Sequence, residues 1–425
     1  MKIIIIGGGP GGYETAITAA KNNIEVTLIT EGLLGGTCLN EGCIPTKTLV
    51  RWANSGKSLD EIQQKKEEVI LTLRSGIEFL MKNPLITVVE GHGRLIKDEQ
   101  CTDDESGSCR VGVMVGERVY KADAIIIATG SEAASLAVKG VERCITSKEL
   151  LCLNKLPQRL CIIGGGVIGL EFASIFNQMG TKVTVMEYCK QILPRFDTDI
   201  AKRLKQILTR QGIEILTGQQ VTDVNDIDAD VVLMAVGRRP AVNNLGLEDT
   251  DIHYSAKGIE VDKNMMTSVP GVYAIGDVIG GMMLAHVATF QGQRVINTLM
   301  GKTDKIRFDL VPAAVFTTPE VGCVGLTEED CKAQGIEYSV NKSFYRANGK
   351  AVSMDETEGY CKILSEKESG KIIGAHIIGA HSSDMIHELV ALMNMNATVD
   401  DLHNIIHAHP TLSEVILAAA NSAVR

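Results

Sequence analysis

The sequence predicts an α/β protein. Two parallel-sheet domains each begin as a βαβ unit, and a smaller C-terminal α+β module follows. Three observations predict this. The first is an internal repeat: residues 3–31 (IIIIGGGPGGYETAITAAKNNIEVTLITE) and 160–188 (LCIIGGGVIGLEFASIFNQMGTKVTVMEY) each read as a short apolar strand, a glycine cluster, a helix and a second strand. Laying Gly7 on Gly164 sets an offset of 157 (164 − 7) without a gap and puts Glu14 on Glu171. The second is a pair of apolar runs, DAIIIAT at 123–129 and DVVLMAV at 230–236, each followed by a glycine and each reading as a buried strand. The third is a change of pattern after about residue 310. There 338–344, 360–365 and 372–378 read as strands of an antiparallel sheet, with helices over 384–396 and the last dozen residues.

Between these landmarks, residues 58–81 carry apolar side chains at helical spacing (Ile62, Val69, Ile70, Leu73, Ile77, Leu80). Residues 100–110 are polar and turn-rich, an exposed hairpin tip that also holds Cys101 and Cys109. The expected domain limits are 1–148 and 271–310 for the first nucleotide-binding domain, 149–270 for the second, and 311–425 for the C-terminal module.

Bulk properties narrow the function. At 425 residues, with 45% apolar and 22% charged residues, the chain is long enough for several buried cores and is not a disordered one. Its 42 Lys and Arg against 52 Asp and Glu leave a net charge of −10, which argues against nucleic acid or anionic lipid as the main partner. Glycine is frequent (42 residues) and aromatics scarce (4%), as in a chain whose backbone must come close to ligands. The opening apolar run stops at Gly7, too short for a membrane span or a secretory core, so a cytoplasmic location is expected. Eleven cysteines, an odd number in a large chain, exclude a full disulfide framework and make any meaningful pair a redox or metal pair.

One G-x-G-x-x-G proves little, because glycine clusters also occur in ordinary turns. Here Gly7-x-Gly9-x-x-Gly12 and Gly164-x-Gly166-x-x-Gly169 each follow a strand and open a helix. The first glycine permits the turn, the second lets backbone approach a pyrophosphate, and the third lets helix pack on strand. Two Rossmann-like fingerprints in the right context point to two dinucleotides. Glu187 ends the second repeat's second strand, where a carboxylate accepts from both ribose hydroxyls and repels a 2′-phosphate. That selects NAD over NADP, the alternative being a surface Glu. In the first repeat the matching residue is Thr30, with Glu31 one residue late; Glu31 is the preferred ribose contact.

The run Gly35-Gly36-Thr37-Cys38-Leu39-Asn40-Glu41-Gly42-Cys43-Ile44-Pro45-Thr46-Lys47 concentrates the chemistry. On an ideal helix a five-residue offset turns side chains apart by about 140°, so a bridge between Cys38 and Cys43 demands irregular backbone. Gly42 and Pro45 supply it. A tight, distorted loop is easily reduced, which suits catalysis. Two free buried thiols are the alternative reading.

These residues, with His409-Pro410-Thr411-Leu412-Ser413-Glu414, make the chain resemble the class I pyridine nucleotide-disulfide oxidoreductases from end to end. Further marks are Ala128-Thr129-Gly130, Val236-Gly237-Arg238-Arg239-Pro240, Ala274-Ile275-Gly276-Asp277 and Leu284-Ala285-His286. The resemblance implies FAD on the first fingerprint, with Gly36, Thr37, Lys47, Gly130, Asp277 and Ala285 around it. It implies NAD on the second, with Gly237, and a homodimer whose active sites are shared. It also implies a redox disulfide of Cys38 with Cys43, the latter against the flavin, an acid–base His409 oriented by Glu414, and a Lys47–Glu171 pair beside the flavin. No metal is expected. The activity implied is NAD-linked oxidation of a protein-bound dihydrolipoyl group, the partner being the lipoyl protein of a 2-oxo acid dehydrogenase or of glycine cleavage.

Two alternatives compete. Glutathione-type reductases resemble the chain but carry alanine at the third glycine and arginines for NADP, against Gly169 and Glu187 here. A flavin-bearing scaffold without turnover predicts loss of Cys38, Cys43, His409 or Glu414, and all four are present. A structural reading of Glu414 is open too, since Thr411-x-x-Glu414 matches a capping box with Thr411 as N-cap. His407 is a weaker acid–base candidate. The helical region after Lys47 and the stretch 218–229 are short for the family, the second by the loss of a hairpin.

Overall fold

A computed structural model describes residues 1–97 and 111–422, so the expected hairpin tip at 100–110, with Cys101 and Cys109, lies outside the described residues. The chain forms two compact units. The first gathers Met1–Thr48, Asp60–Ala134 and Gly237–Ile306. Its main sheet runs Val272–Ala274, Ala124–Ile127, Lys2–Ile6, Glu25–Thr30, Ile86–Glu90, all parallel. Both faces are covered, which is why the central strands are apolar without alternation: Ile3, Ile4 and Ile5 are wholly buried, as are Ile125, Ile126 and Ile127.

Helix Pro10–Lys21 starts with proline at its first position, where no N–H is needed. It packs against helix Ala285–Leu299 through small residues. A Cβ at Gly292 would fall 1.8 Å from Thr15 Oγ1, and one at Gly11 3.1 Å from the Ala288 Cβ. Larger side chains there would force the helices apart. The long helix Leu59–Leu80 matches the spacing read from the sequence and buries Ile62, Ile70 and Ile77.

The second unit gathers Leu49–Leu59, Ser135–Val236 and the chain from Arg307 onward. Its parallel sheet repeats the first: Glu214–Thr217, Lys182–Glu187, Arg159–Ile163, Val231–Met234, Cys144–Ile145. Strand Glu214–Thr217 reaches Val231–Met234 through one 3-10 turn, Val224–Asp226, where the sequence read a missing hairpin. Segment 237–270, assigned from the sequence to the second nucleotide domain, is built into the first unit, where Arg238–Pro240 pairs with Ser131–Ala133.

The C-terminal part of this unit is a five-stranded antiparallel sheet in the order Ala313–Val315, Glu320–Gly325, Ile372–Gly379, Tyr360–Glu366, Tyr338–Phe344. The three strands read from the sequence fall in place. The expected helix over 384–396 forms two residues earlier, as Ser382–Asn394, and the last as Glu414–Asn421. Within this unit a row of half-buried and buried side chains, two of them lysines, faces helix Thr198–Arg210. Lys342, Lys362, His376 and Cys323 stand opposite one another across four strands.

Lys362 Nζ lies 2.9 Å from both oxygens of Asp197 and 3.3 Å from Asp199, and also pairs with Glu328. Asp197 caps the helix by accepting from the Asp199 N–H. Lys362→Met leaves the Asp197 carboxylate without its cation in a buried site, Asp197 and Lys362 being each 1% exposed at the side chain. A loss of about 3–5 kcal/mol is expected, read as a fall in the denaturant midpoint. An unchanged midpoint would mean that the charges are solvated after all.

Candidate active site

The two fingerprints coincide in atomic detail. Gly7 and Gly164 have φ of +119° and +114°, a region that favours glycine. A Cβ at Gly12 would lie 1.8 Å from the Gly7 carbonyl oxygen, and one at Gly169 2.0 Å from that of Gly164. A Cβ at Gly9 or Gly166 meets nothing within 4 Å. First and third glycines are therefore required by the protein's own backbone, whereas the second opens onto free space at a helix start. That space, at the positive end of a helix, fits a pyrophosphate in both units.

The acids after the second strands behave differently. Glu187 is buried; its two oxygens accept N–H groups of Gly165 and Cys189, each at 2.6 Å. In the first unit the matching Thr30 turns inward, donating to the Gly32 carbonyl oxygen at 3.0 Å and lying against Gly8. Glu31 points outward and meets the His92 ring, Oε2 to Nδ1, at 2.9 Å. His92 was not singled out from the sequence, where a lone histidine 61 residues away carries no signal.

The cysteine run is a broken helix. Gly36–Glu41 and Cys43–Trp52 are separated by Gly42 at φ −147°, ψ −106°, which turns Cys43 back toward Cys38. The break removes the 140° separation that a continuous helix would impose. Gly35 and Gly36, both at positive φ, start the first piece, and the Gly35 N–H donates to the Gly8 carbonyl oxygen at 2.8 Å. A Cβ at Gly36 would sit 2.7 Å from Gly9 Cα, so the redox helix begins against the first fingerprint, with exposed Thr37 next.

The two thiols are hydrogen-bonded. That bond, then burial, pushes the Cys38 thiol well above its ordinary range, while the Lys47 charge pulls the other way. Lys47 is half-buried on the second helix piece. In the other unit Glu171 is 3% exposed and accepts the Phe316 N–H at 3.0 Å.

Elsewhere in the first unit, Asp277 lies in the 3-10 turn Gly276–Ile279, which precedes helix Ala285–Leu299. Its carboxylate accepts the Ser131 hydroxyl at 2.5 Å, and Arg238 donates to both Ser131 oxygens. This chain of contacts fixes the sequence-read Asp277. Gly130 (φ +77°) accepts the Ala241 N–H, and Gly237 (φ +115°) the Ala134 N–H, so Gly237 stands at the junction of strands in the first unit.

In the second unit His409 Nδ1 lies 2.9 Å from Glu414 Oε1, with the ring 78% exposed. Glu414 Oε2 accepts the Thr411 N–H at 2.8 Å. That N–H first, then the histidine, holds the Glu414 carboxyl below its ordinary range. The capping box of the alternative, structural reading forms only in part: the helix starts at Glu414 after N-cap Ser413, and the Thr411 hydroxyl donates to the Ala408 carbonyl. Only the carboxylate half of the box forms, because Thr411 sits before a turn and not at the helix start. Glu414 does both jobs, one oxygen each. His407 is buried and held by Glu388 at 2.8 Å, which leaves His409 as the ring open to a substrate.

Glycine loops for two dinucleotides, a cysteine pair on a broken helix and a carboxylate-held histidine define the class. The chain belongs to the pyridine nucleotide-disulphide oxidoreductase family, whose model matches residues 1–292 and whose dimerisation domain matches 311–420. Among curated relatives, dihydrolipoyl dehydrogenase of Chlamydia muridarum is 38% identical, with 99% of this chain and 96% of that protein covered. Dihydrolipoyl dehydrogenase of Bacillus subtilis is 36% identical, covering 100% and 99%. The HOCl-induced flavoprotein disulfide reductase RclA from Escherichia coli shares the fold with a TM-score of 0.90 at 30% identity, with 99% of both chains covered.

The cofactors of this chemistry are FAD and NAD, and the open space at Gly9 and Gly166 fits their pyrophosphates. The dimerisation domain supports a homodimer. Among the described residues no helix is long and apolar enough to cross a membrane, and no group of three His, Cys, Asp or Glu could hold a metal ion.

Proposed function

We propose that this chain is a dihydrolipoyl dehydrogenase, oxidising the dihydrolipoyl group of a carrier protein with NAD as acceptor. The observation that carries the reading is the His409–Glu414 pair in a chain that also holds Cys38 and Cys43 on a broken helix. With Nδ1–H donated to Glu414, the Nε2 lone pair of His409 is free to take a thiol proton. The substrate thiolate attacks Cys38 Sγ of the oxidised pair; the S–S bond breaks and Cys43 leaves as thiolate. His409 sheds the first proton to solvent and takes that of the second substrate thiol, whose thiolate attacks the substrate sulfur bound to Cys38. That closes the lipoyl disulfide and releases Cys38, which takes a proton and donates it as a hydrogen bond to Cys43.

Bound FAD supplies the two-electron relay that reoxidises the pair and delivers hydride to NAD. Gly7, Gly9, Gly12, Glu31, Gly36, Thr37, Lys47, Gly130, Asp277 and Ala285 would hold it. Gly164, Gly166, Gly169, Glu187 and Gly237 would hold NAD. Lys47 and Glu171 keep the roles that the resemblance implies.

Each site uses the cysteines of one subunit and His409 of the other. The C-terminal module leaves Ile406 97% and Met395 79% exposed, apolar surface of the kind a partner subunit covers. The carrier is the lipoyl protein of a 2-oxo acid dehydrogenase or of glycine cleavage. A cytoplasmic location agrees with the described cysteines outside the pair, all of which stand as free thiols.

The test is a side-by-side assay of lipoamide and glutathione disulfide, each with NADH and NADPH. Lipoamide with NADH is the expected combination. Glu187→Ala should relieve the carboxylate–phosphate repulsion and raise the NADPH rate relative to NADH about tenfold or more, equivalent to about 1.4 kcal/mol. A parent enzyme that uses both nucleotides equally would sink the ribose argument.

A further inference from the structure

We propose that His92 is a positioning residue that aims the Glu31 carboxylate at the FAD ribose and makes flavin retention depend on the protonation of its ring. The inference rests on Glu31 being the ribose contact. His92 lies just beyond strand Ile86–Glu90, and its ring spans two other segments of the first unit. Nδ1 is 2.9 Å from Glu31 Oε2, and Nε2 is 2.8 Å from the Asn244 carbonyl oxygen. Both partners can only accept. A neutral imidazole carries one N–H, so one of its nitrogens would turn a lone pair toward an acceptor. Only the imidazolium satisfies both contacts.

The ionised ring then does two things for Glu31. It fixes one carboxylate oxygen, leaving Oε1 for a ribose hydroxyl, and it offsets the negative charge that an anionic dinucleotide would otherwise meet. Glu31 needs such help, because its side chain is 74% exposed and lacks the two backbone N–H donors that hold Glu187.

Among the described residues, Glu31 and Arg94 are the charged groups that act on the ring. Glu31 faces it from the end of strand Glu25–Thr30. Arg94, two residues on, faces it from strand Arg94–Lys97, with its own guanidinium engaged by Asp249 at 2.7 Å and Glu248 at 3.4 Å from the segment beyond Asn244. The Asn244 carbonyl, then Glu31, raise the His92 pKa above the ordinary histidine value, against burial and Arg94. A raised value means that the clamp is complete at low pH and is lost as pH rises through it.

The experiment follows FAD release from the holoenzyme by flavin fluorescence, from pH 5.5 to 9. For the parent, release should quicken as pH rises. His92→Ala should release FAD about fivefold faster at pH 6, the size of one hydrogen bond, with a flattened pH profile. In a Glu31→Ala background the same substitution should change nothing further. Faster release from His92→Ala that persists without Glu31 would overturn the proposal, since the ring would then act elsewhere. Normal retention in His92→Ala with fast release from Glu31→Ala would overturn it while leaving Glu31 at the ribose. Normal retention in Glu31→Ala would remove the ribose assignment and this proposal with it.

Discussion

His409→Ala is expected to lower the lipoamide rate by roughly 10²–10⁴-fold, the usual weight of a general acid–base group. Flavin content and NADH binding should stay as in the parent, because the substitution is remote in sequence from both glycine fingerprints and the ring is 78% exposed. Glu414 keeps its bond to the Thr411 N–H, so the helix start survives. Cys43→Ala should be at least as inactive. Mixed and allowed to re-form dimers, the two dead proteins should regain activity. In each hybrid one site unites the intact cysteine pair of one subunit with the intact His409 of the other; the second site carries both lesions. Were His409 to serve the cysteines of its own chain, every hybrid site would carry one lesion. Demonstrated subunit exchange without recovered activity would end the shared-site reading.

A second large effect separates the glycines that fold the chain from the one that faces the cofactor. Gly12→Ala puts a methyl where a Cβ lies 1.8 Å from the Gly7 carbonyl oxygen, a backbone atom that cannot step aside. The expected cost is about 3 kcal/mol or more, as for an overpacked core, with flavin lost as well. Gly9→Ala is the opposite case. Its φ of −75° suits alanine and its Cβ would meet nothing within 4 Å. The apoprotein's thermal midpoint should barely move, yet FAD should bind on the order of 10²-fold more weakly, since the methyl fills the space the pyrophosphate needs. Reconstitution of apoprotein with FAD, followed alongside thermal unfolding, reads both. Equal loss of stability in the two variants would show that Gly9 is a packing residue and not a cofactor contact.

Much of this molecule is written in local order. The two repeats, the strands they open and the strands at 338–344, 360–366 and 372–379 were legible because periodicity and glycine spacing are local properties, decided by chain stereochemistry within a few residues. The broken helix was legible for the same reason: Gly42 and Pro45 lie between and beside the cysteines they rearrange. Long-range contacts decided the rest. Segment 237–270 joins the first unit because Arg238–Pro240 finds its partner strand about a hundred residues earlier, and no local pattern encodes that pairing. The capping-box spacing of Thr411 and Glu414 was real, but the helix begins at Glu414 itself, and one of its two oxygens goes to His409. His92 reaches Glu31 and Asn244, 61 and 152 residues away, and the buried Lys362 finds Asp197 across 165. Such contacts are made when sheets and helices stack, so their energies depend on distances that only the folded chain sets. Spacing alone determined which residues could do the chemistry. Packing decided which oxygen, which nitrogen and which neighbour each of them was given.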